Sequence, residues 1–284
     1  MTHELFWNKA LELTKTAIAV KSLIPLETLT RYFPNTREEI FEIRTLVSSY
    51  TPNTLNYGPH HNPFHPWDTN LEISNILDKH VLILNKYPVQ PGHMLLITKN
   101  WEPQDGWLTL NDWSALSKVN EDTKGLWFFN SGPLAGASQP HRHLQLLRRT
   151  TESPACPRDN WFTNLLNSST ISDSILSRSC DVRLISHTNL LHNGDYLYEN
   201  YLGMCKKMDI GSPEKDLKPK YPYNLLITSN WMALIRRSKE CAYGFSINAL
   251  GFAGYLLCRD NSNLDWLEKN GPVSLLENVV FPII

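Results

Sequence analysis

The sequence predicts an α+β fold built on an antiparallel β-sheet flanked by helices. Three observations carry this. Helix-period apolar patterns occur at the N-terminus and again near residue 110. Apolar runs of strand length come in pairs joined by turn residues. Strand and helix patterns nowhere alternate in the regular way a parallel sheet needs. The 284 residues suit one large domain or two modest ones, and 42% hydrophobic content supports a sizeable core.

Residues 4–22 place Leu5, Leu11, Leu13, Ala17 and Val20 at helical spacing and predict an N-terminal helix, followed by a short turn at PLETL. Residues 48–70 are rich in Pro and Asn and predict a long irregular stretch. In HVLILNKYPVQPGHMLLITK, residues 80–99, two apolar runs flank a Pro-Gly turn, a strand–loop–strand signal. Residues 108–123 predict a capped helix, 125–131 a buried strand and 141–147 a further strand entered from a small-residue loop. YNLLITSNWMALIRRS, 223–238, repeats strand–turn–strand, and the small apolar residues of 244–258 fit either a packed helix or a strand. Ser, Thr, Pro and Asn mark 153–180 as a linker, dividing an N-terminal region, 1–152, from a C-terminal one, 181–284.

Composition excludes several classes. A net charge of -1 argues against a broad nucleic-acid footprint. No apolar run reaches membrane-spanning length, so no membrane partner is expected. The opening segment lacks the basic and apolar regions of a secretory signal, so the expected compartment is the cytoplasm. Five cysteines at wide spacings, with no C-x-x-C, argue against a disulfide framework or a cysteine zinc site. Composition leaves the oligomeric state open.

The chemistry concentrates in SGPLAGASQPHRHLQLL, residues 131–147. On a strand, His141, His143 and Gln145 project from one face, about 7 Å apart in succession. Arg142, Leu144 and Leu146 project from the other. The glycine loop before them can expose N–H groups to phosphate oxygens where a Cβ would block approach. A neutral imidazole can attack phosphorus and split one displacement into two. Glutamine can donate a hydrogen bond to a phosphoryl oxygen but cannot act as a general acid, which suits leaving groups that are already ionised. Two other readings stay open on the residues alone. The histidines could be inert strand residues, or a zinc pair completed by His60, His61, His65 or His93.

The stretch NSGPLAGASQPHRHLQLL resembles the signature of ATP adenylyltransferases, or diadenosine tetraphosphate phosphorylases, in the transferase branch of the histidine-triad superfamily. HNPFHPWD, ILNKYPV, GHMLLIT, WEPQDGWLTLNDW, YNLLITSNWMALIRRS and GFSINALGFAG are similar to further family segments, in order. The resemblance covers about residues 60–150 and 220–258. It implies a histidine-triad-like antiparallel sheet with a C-terminal extension completing the fold. It also implies cleavage of diadenosine tetraphosphate by inorganic phosphate to ATP and ADP, or the reverse. Alternatives are adenylyl transfer from another donor, such as adenylyl sulfate or ADP, or to a specialised acceptor. A third is nucleotide binding without catalysis.

Carried onto this chain, the resemblance makes His143 the nucleophile, His141 its support and Gln145 the partner of the α-phosphoryl group. Asn130, Ser131, Gly132, Ser138 and Gln139 line the phosphate path, Asn85 faces the ribose, Lys86 lies near phosphate, and Asn62, Pro63 and Phe64 border the adenine. No metal site is expected, and Mg²⁺ enters only as a companion of the nucleotide. One departure stands out. Residues 45–63 hold no Lys or Arg where the family usually has lysines. Arg148, Arg149, Lys220, Arg236 and Arg237 are the candidate replacements.

Overall fold

The computed structural model describes residues 4–33, 40–47, 62–148, 155–167, 174–185 and 194–283. In chain order the first half comprises α1 (Leu5–Ala19), β1 (Thr28–Phe33), β2 (Phe41–Leu46), β3 (Glu72–Ile76), β4 (His80–Leu84), β5 (Met94–Thr98), α2 (Leu110–Asp122), β6 (Leu126–Asn130) and β7 (His143–Leu147). The second comprises α3 (Asp159–Asn167), α4 (Ile175–Arg178), β8 (Cys180–Leu184), α5 (Gly194–Lys207), β9 (Tyr223–Ile227), β10 (Trp231–Arg236), β11 (Cys241–Ala242), β12 (Phe245–Ser246), α6 (Ala249–Ala253), β13 (Tyr255–Cys258) and α7 (Leu264–Glu277).

Eight strands form one antiparallel sheet in the order β3-β4-β5-β7-β6-β9-β10-β8. The histidine strand β7 is therefore central, held by β5 on one side and β6 on the other. The C-terminal strands join the same sheet through the β6–β9 pair, where Asn130 lies opposite Asn224. A smaller sheet, β1-β2-β13, departs from the antiparallel expectation, because β13 runs parallel to β2. The PLETL segment leads into β1 instead of forming a turn of its own.

Alternation along the strands separates two cores. Trp127, Phe129, Leu144, Leu146, Leu225 and Ile227 face a core shared with α1, α2 and α5. Leu126, Phe128, Leu147, Leu226, Trp231 and Ala233 face another, closed by α3, α6 and α7. The ends of the first-core helices are tied to neighbours. Asp122, at the end of α2, accepts hydrogen bonds from the N–H groups of Leu5 and Phe6, two orphan donors at the start of α1. A capping box between Thr109 and Asp112 opens α2.

The linker expected over 153–180 is corrected in part. Composition there is that of a loop, but the described residues pack. Phe162 of α3 is fully buried and stacks on Trp231 at 4.4 Å between ring centroids. Burying such a ring contributes roughly 1.5–3 kcal/mol. Arg158 is also fully buried, its guanidinium over Phe41 and Trp161 and bonded to the Phe252 carbonyl. Residues 153, 154 and 168–173 lie outside the described residues, as does most of the irregular stretch 48–70.

Candidate active site

The site begins where β6 and β7 part. Their register pairs Leu126 with Leu147, Trp127 with Leu146 and Phe128 with Gln145, and then stops. Continued, it would set Asn130 against His143. The side chain of Gln104 stands there instead. Its Oε1 accepts from the His143 N–H at 2.8 Å, and its Nε2 donates to the carbonyls of Asn130 at 2.8 Å and His143 at 3.2 Å. One buried amide thus substitutes for a rung of the ladder and holds the strands apart. The gap separates the start of the small-residue loop from the start of the histidine strand.

His143 is buried and projects on the same face as Gln145, as the strand period requires. Its Nδ1–H donates to the His141 carbonyl at 2.8 Å. That bond fixes the tautomer and leaves the Nε2 lone pair available. Burial pushes the imidazole down to about 4, against the weaker upward pull of the His141 carbonyl. The ring is neutral at physiological pH.

His141 precedes β7 proper, in an isolated bridge to Pro103. Both of its ring nitrogens are engaged. Nε2 lies 2.8 Å from the Thr98 carbonyl and 2.9 Å from the Thr98 hydroxyl, and Nδ1 lies 2.8 Å from Asn62 Nδ2. Because Asn62 Oδ1 already accepts from the Phe64 N–H, its Nδ2 is the donor and His141 Nδ1 the acceptor. Burial lowers the affinity of His141 for a second proton. Phe64 packs against both histidines, with ring centroids at 5.7 and 5.4 Å, and Trp101 meets His141 at 5.4 Å. Asn62 and Phe64 therefore clamp the histidines directly.

From the opposite face, Arg142 reaches Asp112 at 3.2 Å and the Pro103 carbonyl at 3.2 Å. Asp112 also binds His80 at 2.9 Å and caps α2. The ion pair fastens the histidine strand to helix and loop. The pull of His80, Arg142 and the Thr109 N–H outweighs burial and keeps the Asp112 carboxyl below the ordinary range.

The loop 131–139 is built against the C-terminal half. Asn130 Oδ1 accepts from Asn224 Nδ2 and from the Ala249 N–H, each at 2.8 Å, and the Ser131 hydroxyl accepts from the Tyr223 N–H. Beneath lies Arg237, fully buried, donating to Asn224 Oδ1 and to the carbonyls of Ala135, Ile247, Lys239 and Val279. Burial pulls this guanidinium down to about 9. Gly132 and Gly136 both have positive φ, 80° and 86°. A Cβ on Gly136 would lie 2.8 Å from the Ile247 carbonyl oxygen, so only glycine lets the loop sit this close. The N–H groups of Gly132, Ala135, Gly136 and Ala137 are spent on bonds within the segment. Ser138, exposed, and Gln139, half-buried, follow them toward the histidines.

Asn85 is half-buried, and Lys86 is exposed with its ammonium near the Tyr87 ring. The cations proposed to replace the missing lysines do not gather at the site. Arg148 lies at the far end of β7, about 16 Å along the strand from His143, and pairs with Glu4. Arg236 is buried between Tyr221 and Phe281, and Arg237 supports the loop from below. Lys220 is paired with Asp209, and Arg149 lies outside the described residues. Of the further ligands named in the zinc reading, His60 and His61 lie outside the described residues. Among the described residues, no group of three or more His, Cys, Asp or Glu could hold a metal ion.

Gln104, Thr98 and Asn224 were not singled out by the sequence as site residues, and Arg237 was named only as a replacement for the missing lysines, not as the support of the loop. A glutamine in a Pro- and Gly-rich loop carries no signal that it will be buried between two strands.

Residues 1–163 match the family model of the Ap4A phosphorylase N-terminal domain, and residues 156–282 that of the ATP adenylyltransferase C-terminal domain. The chain belongs to the Ap4A phosphorylase family. Within that family it is 29% identical over 201 residues to Protein APA1 of Saccharomyces cerevisiae, covering 63% of this chain and 61% of that protein. It is 26% identical over 235 residues to diadenosine 5',5'''-P1,P4-tetraphosphate phosphorylase 2 of the same yeast, covering 73% of this chain and 72% of that one. The fold matches yeast Ap4A phosphorylase Apa2 in complex with AMP, with a TM-score of 0.76 at 22% identity over 99% of this chain and 98% of that chain. The complex of the same yeast protein with Ap4A gives 0.71 over 97% of each chain. The strand that carries His143 and Gln145 thus lies in one sheet whose strands come from both matched domains.

Proposed function

We propose that this chain is a nucleotidyltransferase that cleaves diadenosine tetraphosphate (Ap4A) with inorganic phosphate to ATP and ADP, or runs the reverse. The observation that carries the reading is His143, a neutral imidazole whose Nδ1–H is tied to the His141 carbonyl while Nε2 keeps its lone pair. In this reading Nε2 attacks the α-phosphorus. An N–P bond forms as the bond to the bridging oxygen breaks, and ATP departs with that electron pair. A phosphate oxygen then attacks the same phosphorus, His143 leaves, and ADP is released. The leaving group is an ionised phosphate in each step, so no general acid is needed, and the amide of Gln145 serves as a fixed donor.

The activity of the yeast relative and the molecules bound in the matched yeast structures support this substrate class. Asn130, Ser131 and Gly132 shape the loop over the gap, and Ser138 and Gln139 meet the phosphates. Asn85 contacts the ribose, Lys86 the outer phosphates, and Asn62 and Phe64 border the adenine while holding the histidines. Mg²⁺, where it takes part, travels on polyphosphate oxygens. The cytoplasm is the proposed compartment, consistent with five free cysteines.

Intact mass spectrometry after mixing with Ap4A, without phosphate, tests the reading. The wild type gains one adenylyl group and loses it as ADP when phosphate is added, whereas His143→Ala gains none. Turnover by His143→Ala refutes the mechanism, and binding of Ap4A with no product favours a non-catalytic role. The lysine-free segment 45–63 keeps a second reading in play, an adenylyl donor such as adenylyl sulfate or ADP. A panel of donors at equal concentration separates the two.

A further inference from the structure

A fourth histidine, His93, lies beside this machinery. It is buried just before β5, on the face that carries His143 and Gln145. The β5–β7 register pairs Leu95 with Gln145, which makes His93 the diagonal neighbour of Gln145, within side-chain reach. Phe128, directly across from Gln145 on β6, brings its ring to 5.8 Å from His93. The Gln145 side chain thus has His93 on one flank and Phe128 on the other.

The protonation of His93 follows from its neighbours. Asn85 Oδ1 accepts from the Tyr87 N–H at 3.1 Å, so Asn85 Nδ2 faces His93 as a donor, 3.1 Å from Nδ1. Nδ1 must therefore be the acceptor. Burial keeps the ring neutral, at about 4, so its single proton sits on Nε2. That Nε2–H is buried, it makes no hydrogen bond of full geometry among the described residues, and the amide of Gln145 is the hydrogen-bonding group within its reach. An unused buried donor is costly, about 1–3 kcal/mol, so it calls for an acceptor.

We propose that His93 is a positioning residue for phosphoryl recognition: its Nε2–H engages Gln145 Oε1 and so turns the Gln145 NH₂ toward the phosphoryl oxygen. A glutamine amide can present either end. With its carbonyl taken by His93, only the donor end remains for the substrate. The result is a directional relay from the Tyr87 N–H through Asn85, His93 and Gln145 to the transferring group. The inference deepens the adenylyl-transfer reading and rests on it.

The test combines His93→Leu, His93→Gln, Gln145→Leu and the double variant His93→Leu/Gln145→Leu. The readout is single-turnover adenylylation of His143 by Ap4A, with KM measured separately. His93→Leu is expected to slow adenylylation about 10–100-fold, part of what losing a full oxyanion donor costs, with KM within threefold. In the Gln145→Leu background the same substitution should change the rate by less than twofold, because its effect runs through Gln145. His93→Gln, which keeps a donor, should recover much of the rate. Additive losses in the double variant, or an unchanged rate in His93→Leu, would overturn the proposal. Long-range proton–nitrogen NMR on the wild type needs no variant: a proton on His93 Nε2 supports the relay, and a proton on Nδ1 ends it. If the wild type forms no adenylyl-histidine at all, the functional reading fails, and the NMR result still decides the orientation of His93.

Discussion

Replacing Gln104 tests how the gap between β6 and β7 is held open. Leucine at this position keeps nearly the same volume, so the strands stay apart, but it pairs with neither of them. The His143 N–H, bonded to Gln104 Oε1 at 2.8 Å, then lies buried without a partner, while the Asn130 carbonyl keeps only the Gly132 N–H. Orphaning it costs about 1–3 kcal/mol. In a chain of this size that is roughly 2–5 °C in Tm. Alanine at the same position gives a contrasting result. It removes the wedge, lets Asn130 and His143 pair directly, and recovers part of the lost stability. Both variants displace His143, and a displacement of about 1 Å costs on the order of 100-fold in rate. Differential scanning calorimetry with a phosphorolysis assay should show Gln104→Leu less stable than Gln104→Ala and both nearly inactive. If Gln104→Leu melts within 1 °C of wild type and keeps kcat within threefold, the wedge argument is wrong.

Four further outcomes are expected. His143 titrates in the folded protein at about 4, below its ordinary value near 6.5, so adenylylation without phosphate should hold its rate through pH 6.5 and fall only toward pH 4; an acid limb centred at 6.5 would show that His143 is solvated. The same lowering at His143 and His93 means the unfolded chain binds more protons, so stability should be fully present above about pH 6.5 and decline as pH falls toward 4, which chemical denaturation across that range will show. Arg237→Met strips the donors from five buried oxygens beneath the loop and should cost about 3–5 kcal/mol and most of the activity, although the residue lies in the C-terminal half; Tm within 2 °C of wild type would contradict this. Gly136→Ala meets both a left-handed φ and the Ile247 carbonyl, and should lose about 2–4 kcal/mol by denaturant melt, whereas an unchanged midpoint would mean the loop can move away from 247–248.

Much of this was legible in the chain itself. Short apolar runs bounded by turn residues located β4, β5, β6, β9 and β10, because a strand buried on both faces is apolar throughout. The capped-helix pattern of 108–123 located α2, since capping is local in sequence, and the structure supplies the cap as the Thr109–Asp112 box. The H-x-H-x-Q spacing alone put His143 and Gln145 on one face. The segment 244–258 stayed ambiguous because it holds both answers, a helix at Ala249–Ala253 and a strand at Tyr255–Cys258, each too short to show a period.

What the sequence by itself determined, then, is the six inner strands of the large sheet, the reactive one among them, and its neighbouring loop, all of which depend on residues a few positions apart. Only the tertiary structure decided that Gln104 wedges β6 from β7, that Arg237 carries the loop, and that His93 faces Gln145. Those contacts join residues 39, 102 and 52 positions apart, Gln104 with His143, Ala135 with Arg237 and His93 with Gln145. Local propensity does not encode them, because each exists only where strand order brings distant segments together and burial makes an unpaired polar group costly.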